Sequence, residues 1–488
     1  VGANDGMLHA FEDSSGEELW GFIPPDLLGS LKNLVTGSNH PYYVDSSPKA
    51  YINDANGNGT ISPDEGDKVV LIFGERRGGS SYYALDVTNP DAPVYLWRIG
   101  PSISNPAIGA VWSDAELGQS WSEPEITRVN IGGQARYVFF IGGGYDPLNE
   151  DAEPRTRTDP MKGRALYAVD VLTGAKLWEY SYTTSVTNDS GGTKPDMTYA
   201  IPSSVTLIDG DGNGYADRVY VGDLGGQIWR FDIGNSSTSS WTGKIIFRSN
   251  PGADGSTGRK IFYAPDIAQE IGYDILFFGT GDREHPRNTS YVDRLYAVKD
   301  NGNITTPLTE SSLVDVTENL LQASSTTESE INSILSNLSS RSGWYIKLNQ
   351  VSGEKVLAPA SVFARVAYYT TFSPSSDEDE ELDPCLPNRG TARVYAVDYL
   401  TGEAVFNYDR SNDSGYSTET NRRAQGKEGE ILKRSDRFKI IGSGIPSGVV
   451  VIISPDGESA LIGVGGGLEI PPVQVGRTAI RLYWREKR

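Results

Sequence analysis

The sequence predicts an all-β protein, a modified seven-bladed β-propeller with loop and short helical insertions. Three observations lead there. The composition is rich in Gly (55), Tyr (26) and Trp (9), and long helical periods are few. At 488 residues the chain is too long for one simple core, so several domains or a repeat architecture are expected. And a unit recurs: an apolar strand, a Gly/Asp turn, an aromatic-rich strand ending in Ala-x-Asp, then Thr-Gly, then a strand ending in Trp or Phe. Its clearest copy is Ala165-Leu166-Tyr167-Ala168-Val169-Asp170-Val171-Leu172-Thr173-Gly174-Ala175-Lys176-Leu177-Trp178. Such a unit cannot bury its own face, and stacking units radially solves that. Residues 1–488 are therefore read as one propeller domain.

Taken in order, copies run from Leu8 through Gly16 to Trp20, from Tyr83 through Asn89-Pro90 to Trp97, over 228–232, over 295–298, and from Val394 through Thr401-Gly402 to Phe406. Each Trp is expected to sit against the next blade, with the Asp and the Thr-Gly pinning the turn. Residues 21–28 read as a strand end and a short helix with prolines at its start. Residues 69–73, 82–86 and 136–141 are further strands. Residues 308–342 break the rhythm: Leu313, Val314, Leu320, Leu321, Ile331, Ile334, Leu335 and Leu338 lie near helical spacing, which predicts a helical insertion. The acidic run 377–381 reads as a solvated loop, 410–436 as a polar loop excursion, and 438–484 as the last unit. The opening, Val1-Gly2-Ala3-Asn4-Asp5-Gly6, reads as the middle of a strand–turn unit, so the N-terminal region of the natural protein is expected to be absent.

The formal charge is −21, from 43 basic and 64 acidic residues. That argues against nucleic acid and against an anionic membrane surface, and it suits hard cations. No apolar run is long enough for a transmembrane segment. A single cysteine, Cys385, excludes an internal disulfide.

One stretch, residues 205–221, sets two β-branched runs round a loop of alternating oxygen side chains and glycines. Asp209, Asp211 and Asn213 take every second position. Gly214 follows, where a chain turning round an ion needs positive φ; Tyr215 falls where calcium loops offer a backbone carbonyl; Asp217 adds a carboxylate. The Glu of an EF-hand is missing, since Tyr220 stands there, so this is a short variant entered from strands. An Asx-rich turn is the alternative, but it leaves three carboxylates crowded into nine residues unexplained.

A second loop follows the twelve-residue calcium template. Asp54, Asn56 and Asn58 stand at positions one, three and five, Gly59 at the sharp turn, the Thr60 carbonyl at seven, Ser62 at nine and Glu65 at twelve. Strands flank it and Pro63 interrupts it, and its two asparagines lower the ligand charge, so weaker binding is expected than at Asp209. A plain turn is the alternative. Asp146, Glu150, Asp151 and Glu153 match no ligand template and read as a solvated loop. His9, His40 and His285 are too scattered for a ligand set.

The copy from Ala168 to Trp178 resembles the tryptophan-docking repeat of quinoprotein-like propellers, a superfamily of pyrroloquinoline quinone (PQQ) dehydrogenases and non-enzymatic scaffolds. The dehydrogenases carry a vicinal disulfide that one cysteine cannot form. A narrower resemblance covers nearly the whole chain. Val1-Gly2-Ala3-Asn4-Asp5-Gly6-Met7-Leu8-His9-Ala10-Phe11 and Phe22-Ile23-Pro24-Pro25 look like the opening of the C-terminal propeller of PilY-type proteins, the type IV pilus biogenesis factors and tip adhesins also called PilC. Tyr82-Tyr83-Ala84-Leu85-Asp86, the run 217–232, Gly343-Trp344-Tyr345 and Trp484-Arg485-Glu486 are similar to further landmarks of that family.

The resemblance implies one Ca²⁺ held by Asp209, Asp211, Asn213, Asp217 and the Tyr215 carbonyl, its occupancy governing pilus extension and retraction. It implies a secreted, non-enzymatic pilus assembly factor and tip-associated adhesin. Its place would be the pilus tip or outer membrane of a bacterium, supporting surface attachment and twitching motility. Expected partners are minor pilins, the pilus machinery and a host or abiotic surface. The alternatives are a PQQ-dependent dehydrogenase and a periplasmic propeller scaffold for outer-membrane assembly.

Overall fold

The computed structural model describes residues 1–36, 41–102, 109–151, 160–182, 197–250, 258–374, 389–427, 429–454, 457–464 and 467–469. The run 377–381, His40, Glu153, Cys385 and residues 484–486 lie outside them.

Among the described residues the strands form seven sheets, in keeping with the expected number. β1 (Leu8–Phe11) pairs with β2 (Glu18–Phe22). β3 (Lys49–Asn53), β4 (Lys68–Gly74), β5 (Tyr82–Asp86) and β6 (Val94–Ile99) form the next sheet. β7 (Glu125–Ile131), β8 (Gln134–Gly142), β9 (Ala165–Asp170) and β10 (Lys176–Ser181) form the third. β11 (Thr206–Ile208), β12 (Arg218–Gly222), β13 (Gln227–Asp232) and β14 (Thr242–Arg248) open the fourth, and β15 (Asp266–Glu270), β16 (Tyr273–Gly279) and β17 (Arg294–Asp300) the fifth.

Two short strands then add in parallel at sheet edges. β18 (Leu308–Thr309) lies along β14, and β19 (Val314–Asp315) lies along β20 (Gly343–Lys347), which itself continues the fifth sheet. β21 (Lys355–Val356), β22 (Ser361–Phe363), β23 (Val366–Ser373), β24 (Thr391–Asp398) and β25 (Phe438–Ser443) make the sixth. β26 (Val450–Ser454), β27 (Gly457–Val464) and β28 (Gly467–Glu469) make the last.

The middle strands are covered on both faces, so they lack the in/out alternation of a half-exposed strand. β23 is buried at every position and β9 at all but its terminal Asp170, whereas β3 alternates. The chain divides into two compact units, one built chiefly of Val1–Asp223 with Trp229–Lys244, the other of Leu224–Ile228 with Ile245–Trp484. In the first, Val70, Ile72, Trp97, Phe139, Tyr167 and Val169 share one core cluster. In the second, Phe277, Leu295, Trp344, Tyr369 and Val397 do so.

The repeat acts as a local lock. Asp170 Oδ1 accepts from the Leu172 and Thr173 amides and the Thr173 hydroxyl, and Asp398 Oδ1 does the same for Leu400 and Thr401. Each turn then receives the indole of an earlier repeat. Trp20 Nε1 donates to the Pro90 carbonyl at 2.8 Å, Trp97 to Val171 at 3.0 Å and Trp344 to Tyr399 at 3.1 Å.

Three sequence expectations need correction. Within 308–342 only Glu328–Ser340 is α-helix, opened by a capping box of Thr327 and Glu330, and the earlier residues spend their apolar side chains on edge strands and 3₁₀ turns. Residues 438–443 belong to the sixth sheet, through Phe438↔Tyr395, not to the last. Asp146 and Glu150 are buried, not solvated: Asp146 Oδ2 accepts from Asn149 Nδ2 and the Lys162 amide, which offsets the cost of burying it. Residues 410–436 hold two 3₁₀ segments and one isolated bridge, Gln425↔Ile431.

Candidate metal centre

The first loop caps the β11–β12 hairpin, whose ladder ends at Ile208↔Arg218. Its shape follows from short polar side chains bonding to their own backbone. Asp209 Oδ1 accepts from the Gly212 and Asn213 amides and Oδ2 from the Gly214 amide at 2.7 Å. Asp211 Oδ1 accepts from Asn213 N, and Asn213 Oδ1 from Tyr215 N. Gly212 and Gly214 take φ of +72° and +87°, which other residues adopt only with strain.

Asp217 closes the loop from its far end. Its Oδ2 accepts from the Gly210 amide at 2.7 Å and the Asp211 amide at 3.4 Å, while its own amide donates to Ile208 O. As a result one carboxylate oxygen from each of Asp209, Asp211 and Asp217 lies within 4.8 Å of the others. Among the described residues this is the one group of three acidic, histidine or cysteine side chains so arranged. An all-oxygen donor set of three carboxylates, with the Asn213 amide and the Tyr215 carbonyl in the same loop, has the chemistry of a hard-cation site and not of a thiophilic one.

The second loop joins β3 to β4 and repeats the amide-to-side-chain bonds of the first loop's turn. Asp54 Oδ1 accepts from Gly57 N and Asn58 N, Oδ2 from Gly59 N; Asn56 Oδ1 accepts from Asn58 N, and Asn58 Oδ1 from Thr60 N. Gly57 and Gly59 take φ of +70° and +80°. These amide donors, Gly59 first, hold the Asp54 carboxyl below its ordinary range. Glu65 sits in a short 3₁₀ turn and accepts from Asn58 Nδ2 at 3.0 Å, while Ser62 is held through its amide.

The closing role falls to a residue the sequence reading missed. Buried Asp67 accepts from the Ala55 amide and the Ser62 amide, both at 2.8 Å, as Asp217 does at Gly210. The loop template stops at Glu65, so Asp67 lay beyond it. The signal was the ladder: Asn53↔Lys68 places Asp67 beside Asp54.

Of the histidines described, His9 lies between Glu18 at 2.7 Å and Asp5 at 2.8 Å, and His285 pairs with Asp282. The Glu18 hydrogen bond, then that of Asp5, raises the His9 pKa against desolvation. Neither sits with a second histidine. Among the described residues no helix is long and apolar enough to cross a membrane.

Antiparallel sheets built on a repeated Asp–Thr–Gly turn, each turn taking an indole from an earlier repeat, with an oxygen-lined loop on one hairpin, define a tryptophan-docked β-propeller protein. More particularly, the chain belongs to the family of the PilY1 beta-propeller domain, whose model matches residues 1–328. It is 30% identical over 456 residues to the type IV pilus biogenesis factor PilY1 of Pseudomonas aeruginosa PAO1, a match covering 82% of this chain and 34% of that protein. A PilY1 homolog of Xylella fastidiosa is 26% identical over 430 residues, covering 83% of this chain and 26% of the homolog. The chain therefore spans only a minor part of the relatives it matches. The crystal structure of the P. aeruginosa PilY1 C-terminal domain superposes with a TM-score of 0.61 at 22% identity, over 97% of this chain and 92% of that one.

Proposed function

We propose that this chain is the calcium-binding propeller of a non-enzymatic type IV pilus assembly factor that works at the bacterial cell surface or pilus tip. Family membership supports the pilus role. The observation that carries the calcium role is the convergence of Asp209, Asp211 and Asp217 within 4.8 Å. Three carboxylates at that spacing repel one another, and a divalent cation cancels the repulsion. Asp217 is at once a ligand and the clamp on the Gly210 and Asp211 amides, so binding stiffens the hairpin edge that a pilin would meet. The Asp54 loop, with Asn56, Asn58, the Thr60 carbonyl, Ser62 and Glu65, is a second and weaker site. Minor pilins, the pilus machinery and a surface to adhere to are the partners this reading assigns, with adhesion and twitching as outputs.

The test pairs binding with assembly. Calorimetry on Asp217→Asn, which keeps an acceptor but drops a charge, is expected to show loss of the tighter of two calcium events. A strain carrying the same variant in the full-length protein is expected to lose calcium dependence of surface piliation and twitching. Unchanged calcium stoichiometry and affinity would refute the site. Loss of binding with normal, still calcium-dependent piliation would refute the role.

A further inference from the structure

His9 is the second residue of β1 and stands opposite Gly21 of β2. Its imidazole is held at both ends. Nδ1 lies 2.7 Å from Glu18 Oε1, at the start of β2, and Nε2 lies 2.8 Å from Asp5 Oδ2, in the turn that precedes β1. From a third side the ring stacks on Phe11, with centroids 5.9 Å apart and planes 21° from parallel. The His9 side chain is 13% exposed, against 47% for each carboxylate. The Val1 nitrogen also bears on His9, but through the backbone: it donates to the His9 carbonyl at 2.7 Å.

A neutral imidazole has one N–H and one lone pair, and only the imidazolium donates from both nitrogens. Two carboxylate oxygens under 3 Å from opposite ring nitrogens therefore call for the cation. Deprotonation leaves one hydrogen bond standing and turns a lone pair onto the other carboxylate. The bond to Glu18 is the shorter and does most to raise the His9 pKa above 6.5, and the β1–β2 ladder fixes Glu18 in place. Asp5 is thus the partner that lets go. A raised folded pKa means that the clamp's contribution is full below about pH 6.5 and is lost as pH climbs through the folded value.

Asp5 does more than meet His9. Its Oδ1 accepts the Met7 amide at 3.0 Å. The turn it stands in is tied to a later stretch of chain: Asn4 Oδ1 accepts the Tyr43 amide at 3.2 Å, and the Ala3 carbonyl accepts the Val44 amide at 3.3 Å. Tyr43 and Val44 are buried with Leu8 and Phe73 in one core cluster. We propose that Asp5, His9 and Glu18 form a pH-operated latch: the charged imidazole pins the turn 3–7 to the β1–β2 hairpin, and the neutral one releases it.

The chain has only three histidines, so the titration is readable by NMR on protein labelled with carbon-13 histidine. The signal lost in His9→Gln identifies His9, and its midpoint is followed in the parent, in Asp5→Asn, in Glu18→Gln and in the double variant. The parent midpoint is expected above 6.5. Each single variant is expected to titrate lower, Glu18→Gln the lower of the two, and the double variant no higher than 6.5. Hydrogen exchange of residues 3–7 is the second readout, and comparing two proteins at each pH cancels the intrinsic pH dependence of exchange. Below the midpoint the parent is expected to exchange about two- to fivefold more slowly than His9→Gln, the range an exposed ion pair spans; above it the two should exchange alike. Asp5→Asn repeats the comparison at an exposed position, where folding is not at stake. A parent midpoint at or below 6.5, a single variant that titrates as the parent does, or an exchange ratio that stays constant with pH overturns the latch.

Discussion

The Arg128 guanidinium lies 4.9 Å from the centroid of the Tyr215 ring, and the Arg128 carbonyl accepts the Ala216 amide at 2.9 Å. A residue of β7 in the third sheet thereby anchors the first loop, which belongs to the fourth. The same guanidinium stands 6.0 Å from Tyr137, whose ring is 4.8 Å from that of Tyr51 in β3, the strand that leads into the second loop.

The first expectation follows from that anchor. Tyr215 would serve calcium through its carbonyl, so its side chain matters only as a tether. Tyr215→Ala should weaken calcium binding about fivefold, the value of a cation–π contact near 1 kcal/mol. Tyr215→Phe, which keeps a ring face for Arg128, should bind as the parent does. Calorimetry on the pair decides it, and an alanine variant of parental affinity would show that the tether is idle.

Removing calcium should destabilise the parent more than a ligand variant. A site filled to 100 times its Kd adds about 2.7 kcal/mol to stability. Melting in saturating calcium and then in excess chelator should therefore differ by a few degrees for the parent. For Asp211→Asn the difference should shrink to what the Asp54 loop alone supplies. Equal chelator sensitivity in both proteins would separate the effect from this loop.

Asp67 is expected to be structural. Its carboxylate is buried, and two backbone amides end on it. Asp67→Ala strands both donors, at a cost on the order of 1–3 kcal/mol. Glu65→Gln touches one exposed amide contact and should cost little. Urea midpoints of the two variants should separate accordingly; matching midpoints would mean that water replaces Asp67.

What could be read from sequence was what is decided locally. Asp209, Asp211, Asn213 and Asp217 fall within nine residues, so their alternation is visible on the page. The Asp170–Thr173–Gly174 turn is equally short-range. Asp67 was invisible because sheet register, not loop spacing, brings it to Asp54. Phe438 was given to the wrong unit because apolar pattern marks a strand but not its neighbour, which is set by the pairing with Tyr395.

Gly174 shows how tightly the repeat is fitted. Its φ is +67°, and a Cβ there would stand 2.7 Å from the Trp97 ring. Gly174→Ala therefore meets both a left-handed backbone and an indole, and should cost on the order of 2 kcal/mol or more. Trp97→Phe gives up the bond to Val171 and some packing, while relieving the crowding at Gly174. The double variant should thus be less destabilised than the sum of the singles; strict additivity would mean that ring and turn do not bear on each other.

Asp293 sets a pH dependence opposite in sign to that of a paired surface carboxylate. It is 3% exposed, accepts the Thr280 hydroxyl at 2.7 Å, and burial lifts its pKa to about 6 despite Lys355 and Arg259 nearby. The unfolded chain holds the same group near 3.9. A raised folded pKa means that the contribution is complete below about pH 4 and is lost as pH climbs through about 6. Asp293→Asn keeps an acceptor for Thr280 and cannot ionise. Relative to the parent it should gain stability between pH 4.5 and 7.5, by on the order of 3 kcal/mol if the whole shift is expressed. Urea midpoints of both proteins across that range give the answer. Parallel curves would show that Asp293 ionises in the folded protein as readily as in the unfolded one, and that Lys355 and Arg259 offset its burial in full.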